Sequence, residues 1–388
     1  MKIVHLGKYY PPAPGGIESH VKTLACGQAE LGHYVSVLCV NHADKNGKDI
    51  IHSRWRKTSS FAQMDGNVWL ERVGRLVGVN RLDVCPGLIG KIREATSQVD
   101  VVHLHTPNPL MLSAWWLAGN RDTPLIVTHH SDVIKQRLLQ RLVAPIESRV
   151  YRAAKKILSD SPDYIEGSSI LQKLRKKVEV LPLGIDLERH LHPGLEEQEV
   201  AKRLKETYGS PLWLMVGRMT YYKGYHVALE ALGRVKGKLV VVGKGPLESE
   251  LKSAAVRLGV SERVTWLPSV SESDLISLYH AATALWFPSI ARSEGFGLVQ
   301  VEAMACGCPV INTNITGSGV RWVSQDLVSG LTVPVGDVEQ FAKAANRLVD
   351  NPDLRKRLSC GAKERALSEF DSKIMVRRSL ELYKASIN

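Results

Sequence analysis

Residues 293–309 read S-E-G-F-G-L-V-Q-V-E-A-M-A-C-G-C-P, and this stretch predicts a tight turn followed by a short apolar helix. Gly307 suits the left-handed conformation that closes a helix, and Pro309 prevents the helix from resuming before the next strand. Glu294 then lies at the entrance of the helix and Glu302 about two turns along it. The exposed amides of the first helical turn lie between the two carboxylates.

These features predict the chemistry of a ligand. Free N–H groups and the positive end of the helix dipole attract an anion. Carboxylates on either side only accept hydrogen bonds, so they suit a molecule rich in hydroxyls. A molecule with hydroxyls at both ends and phosphate in the middle is a nucleotide-sugar. The pair alone is equally compatible with two solvated glutamates around an ordinary helix start, so the rest of the chain has to decide.

Size and composition predict a globular protein of two or three domains. The chain has 388 residues, of which 44% are apolar and 23% charged. The longest mostly apolar run, Pro109–Gly119, is too short to span a bilayer, and Met1–Gly7 resembles a buried strand rather than a signal peptide. The six cysteines are scattered, and we expect free thiols in a reducing cytoplasm.

The net charge of +12 is distributed unevenly along the chain. Residues 135–177 carry 11 basic and 4 acidic side chains, or +7. Such a surface can rest on anionic lipid, where each basic residue contributes about 1 kcal/mol. A merely solvated face remains an alternative. Nucleic acid is disfavoured, because aromatic residues do not alternate with the basic ones and no nucleic-acid-binding motif is present.

Strands and helices alternate from end to end, which predicts an α/β protein with two doubly wound, Rossmann-like domains. We expect an N-terminal domain over residues 1–190, a second over 191–371, and a C-terminal helix over 372–388 that returns to the first. Residues 41–98 show no clear period, and His190–Gln198 is predicted to be a linker. In doubly wound domains ligands bind at the carboxyl ends of the strands, so we expect the site in the cleft between the domains.

Two loops at predicted strand ends carry the residues expected there. The loop Lys8–Glu18 contains three prolines and places Gly15 and Gly16 at a helix start, where the backbone can approach a ligand closely. In the second half, Arg218 directly follows a strand and Lys223 precedes the next helix. A guanidinium fork and an ammonium point charge together suit a diphosphate.

Histidines end two further strands of the first half. His103 and His105 end one, whereas His129 and His130 end another and are followed by Asp132. A Ser-His-Asp triad is excluded because consecutive residues cannot form one. A metal site remains an alternative, although the spacing does not set a ligand geometry. We favour a His130 that donates a hydrogen bond to a hydroxyl or phosphate of a substrate. The sequence has neither a P-loop nor a G-x-G-x-x-G motif.

Taken together, these motifs resemble family 4 of the retaining, nucleotide-sugar-dependent glycosyltransferases, which have the GT-B architecture. The resemblance covers nearly the whole chain and is closest to bacterial mannosyl- or rhamnosyltransferases of O-antigen and exopolysaccharide assembly. The motifs that carry it are P-P-x-x-G-G-I-E at 11–18, T-H-H-S-D at 128–132, G-R-x4-K-G at 217–224, G-x-G-P at 243–246 and E-x7-E at 294–302. The run H-S-D-V-I-K-Q at 130–136 supports the closer likeness.

The resemblance implies a role for each motif residue. Arg218 and Lys223 would hold the donor diphosphate, Glu302 the ribose hydroxyls and Glu294 the hydroxyls of the transferred sugar. His130 would contact that sugar or support the leaving group. The remaining donor-binding positions would act through backbone or apolar contact; they are Gly15, Gly16, Val270, Phe296, Gly297, Leu298 and Val299. Pro268-Ser269 departs from the glycine usual at that point, which makes the base harder to assign.

The resemblance also implies a reaction. We expect metal-independent transfer of a hexose, with GDP-mannose as the favoured donor, to a lipid-diphosphate-linked glycan at the inner face of the cytoplasmic membrane. No metal or other cofactor is expected, because Arg218, Lys223 and the helix N–H groups already balance the charge of the leaving diphosphate. The competing interpretations are a nucleotide-sugar epimerase on the same scaffold and a non-catalytic nucleotide-sugar-binding partner.

Overall fold

The computed structural model describes residues 1–43, 57–79, 82–132 and 137–387. The chain forms two compact units. Unit 1 contains Met1–Asp160, Ser168–Gly184 and Ser372–Asn388, and unit 2 contains Ser161–Gly167 and Ile185–Asp371. The chain thus passes from unit 1 to unit 2 at residue 185, six residues before the boundary that the sequence suggests, and the short segment 161–167 belongs to unit 2.

The strands of the described residues are β1 (Lys2–Leu6), β2 (Tyr34–Val40), β3 (Phe61–Asp65), β4 (Val68–Val73), β5 (Val77–Val79), β6 (Leu82–Val84), β7 (Val101–Thr106), β8 (Leu125–His129), β9 (Lys156–Ser159), β10 (Val178–Val180), β11 (Leu212–Val216), β12 (Lys238–Val242), β13 (Val264–Leu267), β14 (Ala284–Phe287), β15 (Val310–Thr313) and β16 (Gly330–Val333).

The α-helices of the same residues are α1 (Gly16–Glu30), α2 (Leu88–Ser97), α3 (Pro109–Ala118), α4 (Arg137–Ala153), α5 (Pro162–Gly167), α6 (Ser169–Lys173), α7 (Glu188–Leu191), α8 (Leu195–Tyr208), α9 (Tyr225–Leu232), α10 (Glu248–Arg257), α11 (Glu272–Ala281), α12 (Leu298–Ala305), α13 (Val320–Val323), α14 (Val338–Asp350), α15 (Pro352–Glu369) and α16 (Ser372–Ile387). Over the described ranges, none of these helices combines the length and apolar character that crossing a bilayer requires.

Unit 1 is built on an eight-stranded sheet with the order β10-β9-β8-β7-β1-β2-β4-β3. All neighbours are parallel except β3, which runs antiparallel to β4. The direction of winding reverses at β1, between β2 and β7. The C-terminal helix α16 packs on α1 in this unit, where a Cβ on Gly27 would lie 2.6 Å from the side chain of Val376. Only glycine permits so close an approach of the two helices.

Unit 2 is built on a six-stranded parallel sheet with the order β13-β12-β11-β14-β15-β16. This is the doubly wound 3-2-1-4-5-6 order, which reverses between its first and fourth strands. Trp213 on β11 and Trp286 on β14 stack at that reversal, with ring centroids 5.0 Å apart. The loops that follow β11 and β14 therefore flank the crevice where this architecture binds ligands.

The α/β class with two Rossmann-like sheets is confirmed, whereas the linker at His190–Gln198 is wrong. Helix α7 ends at Leu191 and α8 begins at Leu195, so only a short turn separates them. The polar sequence still forms helix α8 because the acidic residues of its first turn interact favourably with the positive end of the helix dipole. Arg189 further ties the segment to Glu197 at 2.7 Å and to Glu272 at 2.9 Å.

The stretch 41–98 also contains more structure than its sequence suggests, in those parts that the structure describes. Strand β3 is almost entirely exposed along its length, because it lies at the edge of the sheet. An exposed edge strand lacks the alternation of buried and exposed side chains that identifies a strand in a sequence.

Candidate active site

The loop after β11 bends sharply so that Lys223 points back toward its own start. Gly224 adopts a left-handed conformation with φ of 68°, and a Cβ there would collide with the carbonyl oxygen of Pro288. The hydroxyl of Tyr225 donates to the carbonyl oxygen of Gly217 at 2.7 Å, which joins the two ends of the loop. Glycine at position 224 is thus required by both the turn and the neighbouring strand end.

Lys223 and Glu294 come together as a nearly buried ion pair. The Nζ atom of Lys223 lies 2.6 Å from Oε2 of Glu294, and the two side chains are only 13% and 10% exposed. Ser289, two residues after the end of β14, donates its hydroxyl to the same carboxylate oxygen at 3.2 Å. The ring centroid of Phe287 lies 4.9 Å from the ammonium group, which adds a cation–π contact. A cation for phosphate and an acceptor for hydroxyls thus meet at the sheet reversal of unit 2.

Helix α12 presents its first turn beside this pair. Its N-cap residue Gly297 has a left-handed φ of 83°, and a Cβ there would lie 2.5 Å from the ring of Phe287. The side chain of Phe296 is buried against Trp322 and Phe370, which fixes the backbone that leads into the helix. The partly exposed residues Leu298 and Val299 form the first turn, whose amides suit an anion.

Glu302 lies farther along α12 and is held by a single tyrosine of α11. The hydroxyl of Tyr279 donates to Oε2 of Glu302 at 2.7 Å. Burial raises the pKa of the Glu302 carboxyl above its ordinary value, and this hydrogen bond opposes the rise. The second oxygen, Oε1, is an additional acceptor that can receive a hydroxyl from a ligand.

The remaining predicted residues of unit 2 lie at the same edge of the sheet. Arg218 is exposed and lies two residues after the end of β11. Val270 is half-buried between β13 and α11, three strands from β14, or about 14 Å across the sheet. The structure therefore joins Lys223 to Glu294, and leaves Arg218 and Val270 as separate contact points along the edge.

In unit 1, the loop after β1 is held rigidly by side chains of the stretch that was hard to interpret from sequence. Tyr9 donates its hydroxyl to Asp83 at 2.6 Å, and Tyr10 donates to Asp65 at 2.8 Å. Arg72 donates to the carbonyl oxygens of Tyr10 at 3.1 Å and Pro11 at 2.6 Å. The loop leads to the exposed Gly15 and Gly16, which begin α1.

His130 follows β8 and is 7% exposed. Its backbone N–H donates to Thr106 at 3.0 Å. Its ring nitrogens face His105, at 3.3 Å from Nε2, and Asp160, at 3.6 Å from Nδ1. The neighbouring His129 contacts a different set of groups, the hydroxyl of Tyr151 at 2.7 Å and the carboxylate of Asp132 at 3.0 Å. The carboxylate that accompanies His130 is thus Asp160 rather than the adjacent Asp132.

Five buried histidines cluster at this end of the sheet of unit 1. Among the described residues, two sets of three place one ring nitrogen each within 4.8 Å of the others, and both sets include His105. Burial lowers the pKa of four members, so these rings are neutral and have the form that ligates zinc. The cluster comprises His5, His20, His103, His105 and His130.

Comparison with known proteins supports one family along the whole chain. A model described as Glycosyltransferase Family 4 matches residues 14–189, and one described as Glycosyl transferases group 1 matches residues 196–365. The O-antigen chain mannosyltransferase C of Escherichia coli is 30% identical over 384 residues, which cover 99% of this chain and 98% of that protein. The chain belongs to the family 4 glycosyltransferases.

Other relatives and solved structures agree with this assignment. The D-rhamnosyltransferase WbpZ of Pseudomonas aeruginosa is 34% identical over 275 residues, or 71% of each chain. Anabaena HepE in complex with UDP superposes with a TM-score of 0.77 at 19% identity, over 99% of this chain and 100% of that one. Sucrose-phosphate synthase from Thermosynechococcus elongatus gives a TM-score of 0.76 at 21% identity, over 99% and 98%. The transferase therefore has the GT-B fold.

Three partners of the predicted site residues were missed by the sequence analysis, two in unit 2 and one in unit 1. Ser289 bonds to Glu294 and Tyr279 bonds to Glu302, yet a serine at a strand end and a tyrosine in an apolar helix carry no distinctive pattern. Asp160, beside His130, follows directly after β9. Its position at a strand end is the same signal that identified His130, so it was accessible to sequence reasoning.

Proposed function

We propose that this glycosyltransferase moves a hexose from a nucleotide-sugar, with GDP-mannose as the donor, to a glycan acceptor in cell-surface polysaccharide assembly. The observation that carries the proposal is the ion pair between Lys223 and Glu294, 2.6 Å apart at the sheet reversal of unit 2. It supplies a cation suited to phosphate and a carboxylate suited to sugar hydroxyls. The relatives named for mannose and D-rhamnose transfer support the donor class.

The chemistry of transfer matches these groups. The acceptor hydroxyl oxygen bonds to the anomeric carbon while the bond from that carbon to the phosphate oxygen breaks. Negative charge builds up on the diphosphate, where Lys223, Arg218 and the amides of α12 stabilise it. In a retaining, front-face reaction the acceptor proton passes to the leaving phosphate oxygen. We propose that no metal takes part, since these cationic groups already offset the developing charge, and activity should withstand EDTA.

Each further residue takes the role that its surroundings allow. When a donor binds, Lys223 exchanges its carboxylate partner for a phosphate oxygen, and Glu294 accepts hydrogen bonds from the sugar. Glu302 accepts from the ribose through the oxygen that Tyr279 leaves available. His130 contacts the sugar or the leaving group. Membership of a glycosyltransferase family favours transfer over both the epimerase and the non-catalytic interpretation.

Calorimetric titration of the full chain with GDP, UDP and ADP, without metal, tests the nucleotide assignment. We expect GDP to bind most tightly and Glu302→Ala to lose that binding. Glu339→Ala, which removes an exposed carboxylate of α14, is the matched control and should bind like the wild type. Tighter binding of UDP, the nucleotide bound to HepE, would indicate a uridine nucleotide-sugar as the donor and would contradict GDP-mannose. Equal binding by wild type and Glu302→Ala would refute the ribose assignment.

Transfer assays then separate the candidate sugars. Mannose and D-rhamnose share their ring configuration and differ only at carbon 6, which bears a hydroxyl in mannose alone. We expect release of GDP from GDP-mannose in the presence of an acceptor glycan linked to a lipid diphosphate. Faster turnover of GDP-D-rhamnose would assign the enzyme to the second sugar, and turnover without an acceptor product would remove the transferase proposal.

We further propose that the basic surface of unit 1 rests on anionic lipid at the inner face of the cytoplasmic membrane. Part of segment 135–177 is outside the described residues, namely 135–136. Among the described side chains, Arg149, Arg152 and Lys155 are exposed on or just after α4. The segment also exposes Lys173, Arg175 and Lys176. Lys156 is instead committed to Glu179 at 2.8 Å.

Cosedimentation with vesicles that contain anionic lipid tests this surface. Changing Arg149, Arg152 and Lys155 to Gln should lower the partition coefficient onto the vesicles by about a hundredfold, because about 1 kcal/mol is lost for each of the three basic residues removed. The matched control changes three exposed basic residues of α8 in unit 2, Lys202, Arg203 and Lys205, by the same total charge. Equal weakening by both triples would indicate a response to net charge alone and would contradict the proposed surface.

A further inference from the structure

A continuous chain of buried hydrogen bonds leads from helix α1 to His130. Oε1 of Gln28 lies 2.8 Å from Nε2 of His5. Nδ1 of His5 lies 3.1 Å from Nε2 of His105, and Nδ1 of His105 lies 3.3 Å from Nε2 of His130. The first three side chains are at most 1% exposed, so water does not compete for these contacts. All of them belong to unit 1.

The direction of the chain is set where Gln28 meets helix α16. The hydroxyl of Ser379 donates to the carbonyl oxygen of Val376 at 2.6 Å, so its oxygen accepts from Gln28. The Nε2 amide of Gln28 donates to that oxygen at 2.9 Å and to the hydroxyl of Tyr383 at 3.2 Å. With the NH2 group turned toward α16, the carbonyl oxygen of Gln28 faces His5. The hydrogen-bond partners thereby assign the amide orientation.

Each hydrogen bond then determines which nitrogen of the next histidine ring carries the proton. A carbonyl oxygen only accepts, so Nε2 of His5 carries a proton. Burial lowers the pKa of His5 to about 4, so the ring is neutral and Nδ1 is bare. Nε2 of His105 must therefore be the donor to His5. Burial also lowers the pKa of His105 well below its usual range, so its Nδ1 is bare as well and accepts from Nε2 of His130.

We propose that Gln28, His5 and His105 are positioning residues that hold His130 in the tautomer protonated on Nε2. The remaining nitrogen, Nδ1, is then the one site of His130 that exchanges a proton or a hydrogen bond with a substrate. It faces the carboxylate of Asp160 at 3.6 Å. The link to activity rests on the role of His130 in the proposed function, whereas the tautomer itself does not.

The side-chain amide of Gln28 also begins a second series of hydrogen bonds, through Tyr383 to His103, which provides an internal control. Tyr383 contacts Nδ1 of His103 at 2.5 Å, and Nε2 of His103 contacts the hydroxyl oxygen of Thr128 at 2.6 Å. His103 is as buried as His5, and its ring centroid lies 4.2 Å from that of His105. Its hydrogen bonds nevertheless end at Thr128 rather than at His130. Removal of His103 therefore disturbs the packing of the histidine cluster but leaves the hydrogen bonds from Gln28 to His130 intact.

The ring nitrogens can be observed directly by multiple-bond 1H–15N correlation spectra of the full chain with 15N-labelled histidine. In the wild type, at a pH where His130 is neutral, we expect Nε2 of His130 to show the protonated type of shift and Nδ1 the bare type. The opposite assignment would overturn the proposal, and this measurement needs no variant to fold. It also needs no substrate, so it decides the tautomer even if the proposed transfer fails.

Variants then test the series of hydrogen bonds from Gln28 to His130. His5→Phe keeps a ring but removes the acceptor for His105, so the His130 signals should move toward an even mixture of tautomers. His103→Phe should leave the His130 tautomer as in the wild type. With the proposed donor, His5→Phe should lower kcat at least tenfold with the donor KM unchanged. Because a loss of folded protein would give the same split, kcat is expressed per folded molecule, with the folded fraction measured by circular dichroism. An unchanged His130 tautomer in His5→Phe would disprove the positioning role, as would an equal change in His103→Phe.

Discussion

At the scale of single residues, the pairing of Lys223 with Glu294 has two consequences. Taking two charges out of water is costly, and only close contact between them offsets that cost. Each charge therefore depends on the other while the site holds no donor. Under the proposed mechanism, a diphosphate that attracts Lys223 would also free Glu294 at the moment when sugar hydroxyls arrive to replace it. The ion pair thus keeps both groups desolvated and in place before the reaction, which is the condition for strong stabilisation of developing charge.

Lys223→Ala should slow transfer and weaken the fold through separate causes. Loss of one cation that stabilises the leaving diphosphate costs about 3 kcal/mol of barrier, or about a hundredfold in kcat. The fold loses about 3 kcal/mol in addition, because Glu294 becomes an unpaired buried charge. Turnover measured with saturating donor, and urea unfolding of the same samples, report the two effects.

A double variant separates these causes. Adding Glu294→Gln to Lys223→Ala removes the unpaired charge, so the free energy of unfolding should recover while kcat stays low. Lys343→Ala, which breaks an exposed ion pair of α14, serves as the control and should change neither quantity measurably. Turnover close to that of the wild type in Lys223→Ala would refute the phosphate assignment.

At the scale of elements, the hairpin of β5 and β6 braces the loop after β1. Arg75 pairs with Asp83 of β6 at 2.8 Å, and both side chains are fully buried. The other oxygen of Asp83 accepts from Tyr9, so the ion pair reaches the loop that leads to Gly15. A loop of this length loses much backbone freedom when it is ordered, and contacts of this kind offset the loss.

Asp83→Ala should destabilise unit 1 severely, by about 3–5 kcal/mol, because the buried guanidinium of Arg75 loses its carboxylate. Tyr9→Phe removes only the hydroxyl and should cost about 1 kcal/mol. Urea unfolding followed by circular dichroism gives both values. If Asp83→Ala lowers the free energy of unfolding by less than Tyr9→Phe does, the ion pair of Arg75 and Asp83 does not stabilise the fold.

The sequence predicted the elements whose side chains are buried with a regular period. Apolar runs between turns predict strands over 212–217, 238–243 and 284–289. Strands β11, β12 and β14 begin at the predicted residues and end one or two residues earlier. Left-handed Gly307, with φ of 73°, closes α12 as its position beside Pro309 suggests. The exposed strand β3 was missed because its pairing with β4, rather than a local pattern, determines it. Helix α8 was missed because its polar sequence lacks a clear apolar period, although its acidic first turn favours a helix.

The same distinction applies to the site. Lys223 and Glu294 were identified because motifs at strand ends point to one edge of a parallel sheet. Their hydrogen-bond partners lie elsewhere in the chain, and Ser289 and Tyr279 carry no local signal of such a contact. Likewise the polarity of the histidine chain depends on Gln28 and Ser379, which are 351 positions apart. Spacing in a sequence cannot reveal a hydrogen bond of that separation.

At the scale of the whole molecule, the buried histidines with a lowered pKa are concentrated in unit 1, although burial lowers the pKa of His280 in unit 2 as well. In unit 1, burial lowers the pKa of His5, His20, His103 and His105 below the ordinary value of about 6.5. The unfolded chain therefore binds more protons than the folded one as the pH falls below 6.5, and stability is lost. In unit 2, burial raises the pKa of Glu302, so the folded state binds the extra proton and stability is lost only as the pH rises through that pKa.

Acidification from pH 7.5 to pH 5 should therefore destabilise unit 1 before unit 2. His5 alone, with a pKa lowered to about 4, accounts for about 2 kcal/mol of lost stability at pH 5. Hydrogen exchange followed by mass spectrometry, corrected for the intrinsic effect of pH, should show the sheet of unit 1 opening first. Between pH 6.5 and pH 4, unfolding of His5→Phe should take up about one proton fewer than unfolding of the wild type, so its stability should fall less steeply with pH. Glu302→Gln should leave the stability of unit 1 unchanged. If unit 2 opens first at pH 5, the buried histidines do not control the acid stability of the molecule.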